Sequence, residues 1–222
     1  MEIPTLRLTE DGSHTLYVPE IDECYHSTHG AIQESMHIFI TSALNRCDKK
    51  EINVLEIGFG TGLNAFLTLI EAEKRQLRIN YTTIELYPIP LENAMQLNYP
   101  KIVSRDYQHD FELLHTSTWN IPVKISDQFT LTKLQADFTK INLQDPFDVI
   151  YFDAFSPEKQ PEMWTEELFG KIFKITGENA VLTTYCSKGT VKRALISSGF
   201  TVKKIPGPPG KREILRAVKD FG

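Results

Sequence analysis

The chain has 222 residues, of which 41% are hydrophobic and 24% charged, the composition of an ordinary globular protein with one domain and at most a small additional unit. No apolar run reaches 18 residues and no basic region followed by an apolar one opens the chain, so neither a membrane span nor export is indicated and the cytoplasm is expected. The formal net charge of −5 argues against a general polyanion binder.

The charge is distributed unevenly along the chain. Residues 186–222 contain nine Lys or Arg and two acidic residues, whereas the first 185 residues contain 15 basic and 27 acidic ones. The C-terminal part therefore predicts a basic surface, which is either a solvated face or a footprint for nucleic acid. The three cysteines, Cys24, Cys47 and Cys186, are far apart, and no histidine pair at metal-ligand spacing lies near them, so reduced structural thiols and no metal site are expected.

The N-terminal residues predict a small β-hairpin. Residues 5–18 alternate apolar and polar side chains around Asp11-Gly12, which is the signal of a hairpin with a type I′ turn. A polar loop follows, and residues 31–44 then show helical periodicity. We therefore divide the chain into residues 1–30, a hairpin and loop covering an edge, and residues 31–222, the main domain.

The most informative stretch is residues 52–64, INVLEIGFGTGLN. A short apolar run ends in three alternate glycines, Gly58, Gly60 and Gly62, before a helical pattern begins, which predicts a strand, a tight turn and a helix. The dinucleotide fingerprint has its third glycine one residue later, so the spacing favours S-adenosylmethionine over NAD or FAD. Glu56, just before the turn, places a carboxylate where a cationic methionine end could lie. The alternative is a tight turn with no ligand.

Further acidic residues follow predicted strands. Glu85 ends the strand 79–85, where α/β nucleotide-binding sheets hold ribose hydroxyls. Asp137 similarly follows the strand 129–135. Between these strands a helix is predicted up to about residue 98. Residues 101–128 are predicted to contain helical pieces and to cap the site.

The C-terminal half continues the alternation of strands and helices. A buried strand, 147–152, stops at Asp153-Ala-Phe-Ser-Pro157, and two final strands are joined by a short loop at residues 206–211. This pattern predicts an α/β fold with a mostly parallel, seven-stranded sheet and an antiparallel terminal strand. Ligands bind beyond the carboxyl ends of such strands, and the 206–211 loop opens at the same edge. The basic C-terminal part should therefore flank the site.

These motifs together resemble those of the Rossmann-like class I S-adenosylmethionine-dependent methyltransferases. More closely, the chain looks like a stand-alone member of the family that completes 5-methylaminomethyl-2-thiouridine at the tRNA wobble position. The matching pieces are Tyr25-His-Ser27 with Gly30 and Glu34, residues 56–64, 152–157 with 161–164, and 210–215.

The resemblance implies methyl transfer from S-adenosylmethionine to the primary amine of 5-aminomethyl-2-thiouridine, with S-adenosylhomocysteine as product and no metal. The implied cofactor contacts are Glu56, Gly58, Gly60, Gly62, Asn64, Glu85 and Asp137, and Tyr25, Ser27, Phe155, Lys211 and Arg212 are the implied substrate contacts. Some family members carry an FAD-dependent oxidoreductase domain, for which 222 residues leave no room. We therefore expect action on the aminomethyl form alone, no FAD, and a separate oxidoreductase as partner for the preceding step.

The chemistry assigns Asp153 to catalysis. An alkyl amine is largely protonated at neutral pH and then has no lone pair, so a carboxylate at the strand end can orient it and accept its proton. The alternative is that Asp153 caps the next turn. The tRNA anticodon region is the expected macromolecular partner, with Tyr25, Phe155 or Trp164 available for stacking. Its phosphates would meet Lys188, Lys192, Arg193, Lys203, Lys204, Lys211 and Arg212.

Two other functions fit parts of the pattern. An enzyme of the same fold could act on a small amine, including an aminopropyltransferase, although the basic C-terminal edge would repel a polyamine. A non-catalytic module that binds S-adenosylmethionine is the second alternative. The acid and turn at Asp153-Ala-Phe-Ser-Pro157 argue against it, because a scaffold needs neither.

Overall fold

The computed structural model describes residues 4–144 and 146–220, so residues 1–3 and 221–222 of the two predicted units lie outside the described part. A small antiparallel sheet comes first, with strands β1 (Thr5–Leu8), β2 (His14–Val18) and β3 (Glu23–Cys24). The predicted hairpin is confirmed as β1 and β2.

The hairpin turn differs from the predicted type I′. Between the two strands only Gly12 has a positive φ, 80°, whereas a type I′ turn needs two such residues. The turn is closed by the Gly12 N–H, which donates to the Thr9 carbonyl at 3.0 Å. The Asp11 carboxylate accepts from the Thr9 hydroxyl and the Ser13 N–H, and these bonds hold Asp11 on the ordinary side of φ.

The main sheet has eight strands in the order β10-β11-β9-β8-β4-β5-β7-β6. The strands are β4 (Glu51–Ile57), β5 (Arg78–Glu85), β6 (Pro122–Lys124), β7 (Phe129–Gln135), β8 (Phe147–Phe152), β9 (Thr176–Thr184), β10 (Thr201–Pro206) and β11 (Glu213–Val218). The five central strands are parallel and β11 is antiparallel to both neighbours, as predicted. The strand of this sheet that was not predicted, β6, is a three-residue edge strand antiparallel to β7. In the N-terminal sheet, the two-residue β3 lies at the start of the predicted polar loop.

Helices cover this sheet, and their bounds largely follow the predicted periodicity. They are α1 (Ala31–Ser35), continued by a π-helical turn over Met36–Thr41, α2 (Leu63–Arg75), α3 (Leu91–Ala94), α4 (Tyr99–Val103), α5 (Gln108–Thr116), α6 (Glu166–Ile175) and α7 (Gly189–Ser197). Short 3₁₀ turns occupy Leu44–Arg46, Arg105–Tyr107 and Pro161–Trp164. Within the described residues, no helix has the length and apolarity needed to cross a membrane.

The helix predicted to run to about residue 98 ends at Ala94 as α3, and a second short helix, α4, begins after it at Tyr99. Asn98 lies between them, where its side chain accepts from the His14 N–H at 2.8 Å and donates to the Gly12 carbonyl at 2.9 Å. Pro100 then starts α4, a position where its missing N–H costs nothing. The break therefore attaches the N-terminal sheet to the main domain.

Two buried apolar clusters fill the core. Every residue of β8 is buried, as expected for a central parallel strand covered on both faces. The carboxyl ends of β4, β5, β7 and β8 lie side by side, and the chain leaves each of them at the same edge of the sheet. The strand order reverses between β4 and β8, which is where α/β sheets bind ligands.

Candidate active site

A cavity of about 430 Å³ opens at the carboxyl ends of these strands. Its walls are the glycine turn after β4, the chain after β5, β7 and β8, and a segment of the N-terminal unit, residues 23–28. Most of the predicted site residues line it, namely Tyr25, Ser27, Gly58, Gly60, Asn64, Glu85, Asp137, Asp153, Phe155 and Lys211. Three predicted residues, Glu56, Gly62 and Arg212, do not line it.

The glycine turn is closed tightly against its neighbours. Gly58 has φ 95°, and a Cβ added there would lie 2.7 Å from the backbone oxygen of Asp153. Gly60 has φ 48°, and a Cβ there would lie 2.8 Å from the Tyr25 ring. A side chain at either position meets both an unfavourable conformation and an occupied space. The turn thus presents bare backbone to the cavity.

Gly62 serves the helix rather than the cavity. It is the N-cap of α2, and a Cβ there would lie 2.8 Å from Nε2 of His115. The side of Gly62 that a side chain would occupy therefore faces the protein interior. Gly62 itself does not line the cavity, although its neighbours Thr61 and Leu63 do, so the cofactor contact at this residue stays a prediction.

Glu85 ties the end of β5 to the glycine turn. Its Oε2 accepts from the Gly60 N–H at 3.1 Å and its Oε1 accepts from the Tyr87 N–H at 2.9 Å. Burial raises the pKa of this carboxyl. Each oxygen keeps a second lone pair, so Glu85 can still accept from hydroxyl groups of a ligand in the cavity.

Asp137, at the end of β7, is held as an anion. Lys140 Nζ lies 2.8 Å from its Oδ2, and Thr139 donates to Oδ1 through its hydroxyl and its N–H. The hydrogen bonds from Lys140 and Thr139 lower the pKa of Asp137 to about 2. This carboxylate is therefore fixed in place at the rim of the cavity.

Glu56 does not lie where the prediction put it. Its side chain is fully buried within β4, behind the cavity wall, and neither carboxyl oxygen has a hydrogen-bond partner among the described residues. Burial raises its pKa well above the usual range. The cause is the position of β4: both faces of a central strand are covered, so one of two successive side chains must point away from the site.

Asp153 follows β8 directly and is half-buried in the cavity wall. Its Oδ2 accepts from Nδ2 of Asn64, the second residue of α2, at 2.8 Å. Removal from water raises the pKa of Asp153 to about 7, although the Asn64 hydrogen bond acts in the opposite direction. The turn that follows is satisfied by another group, since the Phe155 N–H donates to Gln160 Oε1 at 3.0 Å. The side-chain bond of Asp153 thus goes to α2 rather than to its own turn.

Aromatic side chains frame the cavity on the Asp153 side. The rings of Tyr25 and Phe155 meet edge to face with centroids 5.1 Å apart. Trp164, by contrast, packs on Phe152 in the core, and its Nε1 donates to the Phe155 carbonyl at 2.8 Å. Of the three aromatic residues predicted to be available for stacking, Trp164 is therefore excluded by its burial.

Lys211 comes from the loop between β10 and β11 and reaches the same side of the cavity. Its Nζ lies 3.3 Å from Oε1 of Glu34 and 5.1 Å from the centre of the Tyr185 ring. Sequence reasoning quoted Glu34 within a motif without assigning it a role. Arg212 instead lines a shallow neighbouring depression that also contains Lys188.

The segment 101–128 supports the glycine turn from beneath instead of capping the site, since none of its residues lines the cavity. The Phe59 ring packs against His115 and Trp119 at centroid distances of 5.4 and 6.1 Å. Lys133, fully buried on β7, donates to the His115 carbonyl at 2.7 Å and lies 4.7 Å from the Trp119 ring centre. No local sequence pattern indicates this arrangement, because its members come from separate elements.

Comparison with known proteins places these features in a family. Residues 92–220 match the family described as S-adenosyl-L-methionine-dependent methyltransferases. The tRNA 5-methylaminomethyl-2-thiouridine biosynthesis bifunctional protein MnmC of Pseudomonas savastanoi is 30% identical over 213 residues, 89% of this chain and 32% of that protein. MnmC of Magnetococcus marinus is 31% identical over 233 residues, 97% of this chain and 34% of that protein. The chain thus spans about a third of the length of these relatives.

Solved structures show the same architecture. MnmC2 of Aquifex aeolicus superposes with a TM-score of 0.80 at 26% identity, over 99% of this chain and 71% of that one. Spermidine synthase of Thermotoga maritima gives a TM-score of 0.59 at 13% identity, over 99% of this chain and 70% of that one. The second likeness shows a shared fold only.

Proposed function

This chain belongs to the S-adenosyl-L-methionine-dependent methyltransferase family, and on that premise we propose that it methylates the primary amine of 5-aminomethyl-2-thiouridine at the wobble position of tRNA. The product is 5-methylaminomethyl-2-thiouridine, the nucleoside in the name of the relatives. The observation that carries the proposal is Asp153, a carboxylate held at the cavity wall beside the glycine turn. A protonated amine acceptor must lose a proton before it can attack the methyl group, and a carboxylate at this position can orient the ammonium and accept that proton.

The cavity fits the methyl donor. The turn at Gly58 and Gly60 presents backbone without side chains to the cavity, because a Cβ at either position would collide with the Asp153 backbone or the Tyr25 ring. Glu85 offers acceptor lone pairs to ribose hydroxyls. Asp137 marks the opposite rim, at the end of the next strand. When bound, S-adenosylmethionine supplies an electrophilic methyl group on a sulfonium ion, so the protein chiefly needs to position the acceptor.

Asp153 prepares the acceptor for reaction. The alkylammonium form has no lone pair, and loss of one proton to the Asp153 carboxylate makes its nitrogen a nucleophile. A pKa of about 7 suits a base that works near neutral pH. Asn64 fixes Oδ2 through its hydrogen bond and leaves Oδ1 as the acceptor for the substrate proton.

The tRNA would approach over the basic edge beside the cavity. Lys211 lines the cavity itself, and Lys188 and Arg212 lie in the adjoining depression. Tyr25 and Phe155 are placed to stack on a base that has left the anticodon stack. The same cations repel a free polyamine, which favours tRNA over a small amine. We place the reaction in the cytoplasm, and a partner oxidoreductase for the preceding step stays a prediction.

The test is transfer of labelled methyl from S-adenosylmethionine to bulk tRNA from cells that lack this protein, followed by nucleoside analysis. Label in 5-methylaminomethyl-2-thiouridine is expected, and tRNA from cells that contain the protein is the control and should take up little. Cofactor binding without label in tRNA would contradict the proposed acceptor. Transfer of label to a polyamine would instead support the alternative function, an enzyme of the same fold that acts on a small amine.

A further inference from the structure

A second carboxylate, Glu34, faces the acceptor side of the cavity. It belongs to α1, and its side chain is only 10% exposed. The Ser27 N–H donates to its Oε2 at 2.8 Å, which fixes the carboxylate. Its Oε1 is turned toward the ammonium group of Lys211.

Lys211 places a primary ammonium group inside the acceptor side. Besides Glu34, the group approaches the face of Tyr185, whose hydroxyl donates to the Ala154 carbonyl at 3.0 Å. Ala154 directly follows Asp153, so Tyr185 connects the lysine to the catalytic turn. Glu34, Lys211, Tyr185 and Asp153 line the same cavity.

We propose that Glu34 is the second carboxylate of the acceptor site, and that the substrate ammonium binds between Glu34 and Asp153 in place of the Lys211 ammonium. This inference rests on the proposed amine acceptor. An alkylammonium has three N–H donors, so one can reach each carboxylate. Lys211 carries the same chemical group as the acceptor, and its binding to Glu34 shows that this position accepts a primary ammonium.

When the substrate ammonium displaces Lys211 from Glu34, the lysine ammonium is released close to the path of the RNA. Once the substrate ammonium neutralises Glu34, Lys211 is free to swing toward the rim, where a phosphate of the RNA would attract it. The exchange keeps one cation beside Glu34 until the substrate gives its proton to Asp153, so binding itself does not leave the partly buried carboxylate unpaired. Substrate binding and phosphate binding are thereby coupled through a single lysine.

The same arrangement selects against one related amine. An acceptor that carries a carboxymethyl group on its nitrogen would bring a third carboxylate toward Glu34 and Asp153. Like charges in a partly buried site repel strongly, so this form should be rejected. Glu34 thus acts as a determinant of specificity.

Charges around Asp153 provide an independent readout. The charged and titratable groups that face it are Glu34 on α1, Lys211 on the β10–β11 loop, Glu56 on β4, Tyr81 on β5 and Tyr185 after β9. The negative charge of Glu34 raises the pKa of Asp153, and the positive charge of Lys211 lowers it. Glu34→Gln should therefore lower this pKa, whereas Lys211→Gln should raise it.

The test compares Glu34→Gln with wild type in labelled-methyl transfer to tRNA. The glutamine carbonyl can still accept from the Ser27 N–H, so the fold should be kept. We expect KM for tRNA to rise about ten- to hundredfold, as for a lost charged hydrogen bond, with unchanged affinity for S-adenosylhomocysteine. Glu71→Gln is the matched control, because Glu71 also faces a lysine, Lys74 at 3.6 Å, but lies on α2 away from the cavity.

A competition assay tests the selection directly. Unlabelled tRNA with the carboxymethylated amine should inhibit wild type weakly and Glu34→Gln more strongly. Equal inhibition of both proteins, together with equal KM values, would overturn the proposal for Glu34.

Carbon-13 NMR titration of the Asp153 carboxyl needs no RNA and separates this proposal from the proposed function. Opposite shifts of its pKa in Glu34→Gln and Lys211→Gln are expected. Shifts in the same direction, or none, overturn the inference even if the wild type methylates tRNA. Absence of label with wild-type protein contradicts the proposed function instead, and opposite NMR shifts would still support the charge arrangement around Asp153.

Discussion

The two sides of the cavity are built on different principles. On the cofactor side, backbone contacts set the shape: Gly58 lies against the Asp153 backbone, and the Gly60 N–H donates to Glu85. On the acceptor side, the ends of charged side chains set it, with Lys211 beside Glu34. Where the backbone defines the shape of a binding site, an added side chain should disrupt that shape and weaken ligand binding. A site made of charges should instead change its protonation and affinity while the fold survives.

The largest effect is expected from Gly58→Ala. The new Cβ would lie 2.7 Å from a backbone oxygen, at a φ of 95°, so the turn must move. Affinity for S-adenosylhomocysteine should fall at least about a hundredfold, measured by calorimetric titration, as expected when about 3 kcal/mol of binding is lost. In Gly170→Ala, the control on α6, nothing lies within 4 Å of the new Cβ, and binding should be retained. Normal cofactor binding by Gly58→Ala would refute a backbone-defined cradle.

The next largest effect is expected in the pH dependence of methyl transfer, which the ionisation of Asp153 should set. Asp153 has a pKa of about 7 and accepts a proton only when ionised. The kcat/KM for tRNA, which reports ionisation in the free enzyme, should therefore rise about tenfold per pH unit below pH 7 and level off above it. A rate that stays flat from pH 5.5 to 8.5 would remove Asp153 as the base.

The same shift has a consequence for stability. Because the folded pKa lies above the ordinary value of 3.8, the stability linked to protonated Asp153 is present at low pH and is lost as the pH rises through 7. The Tm of Asp153→Asn relative to wild type should therefore be higher at pH 8 than at pH 4. An equal difference in Tm at both pH values would contradict this linkage.

A smaller effect is expected from the basic edge. If Lys188 and Arg212 contact phosphates, Lys188→Gln and Arg212→Gln should each reduce the slope of log affinity against log salt by about 0.7 to 0.9. Filter binding of tRNA at several salt concentrations measures this slope. Lys74→Gln, on α2, is the control and should leave it unchanged. If Lys188→Gln and Arg212→Gln leave the slope as unchanged as the control does, the basic edge is not part of the RNA interface.

The smallest effect on activity is expected beneath the glycine turn. Burial lowers the pKa of Lys133 to about 8, so its charge costs stability below pH 8, and the cost disappears as the pH rises toward 10.5. The free energy of unfolding of Lys133→Met relative to wild type should thus be higher at pH 7 than at pH 10. Urea unfolding at both pH values measures this. Equal differences would mean that Lys133 is not buried as a cation.

The sequence predicted those parts whose signals are local. The bounds of α2 follow from its periodicity, and the acidic residues at strand ends reach the cavity because parallel strands end at one edge. The short strand β6 was missed, since three residues carry no pattern and its pairing with β7 is set by the tertiary fold. The placement of residues 101–128 beneath the glycine turn is likewise set by tertiary contacts, so the sequence pattern could not predict it.

Two further features could not be predicted from the sequence: the side of the sheet to which a buried side chain points, and contacts between residues far apart along the chain. Glu56 lies on a strand buried on both faces, so alternation could not tell which side its carboxyl takes. Glu34 and Lys211 meet only in the folded protein, and no local pattern connects a helix near the N-terminus with the last loop. The sequence identified Asp153 because it ends the most apolar strand.

The Asp153→Asn variant, measured for cofactor affinity and methyl transfer in the same preparation, tests most directly whether the cavity has separable cofactor and acceptor sides. Asparagine keeps the size of the side chain and an oxygen for the Asn64 hydrogen bond, but it cannot accept a proton from the acceptor ammonium. We predict affinity for S-adenosylhomocysteine within about twofold of wild type and transfer to tRNA at least about a hundredfold slower. Unchanged transfer, or loss of cofactor binding in parallel with transfer, would contradict a cavity with separable cofactor and acceptor sides.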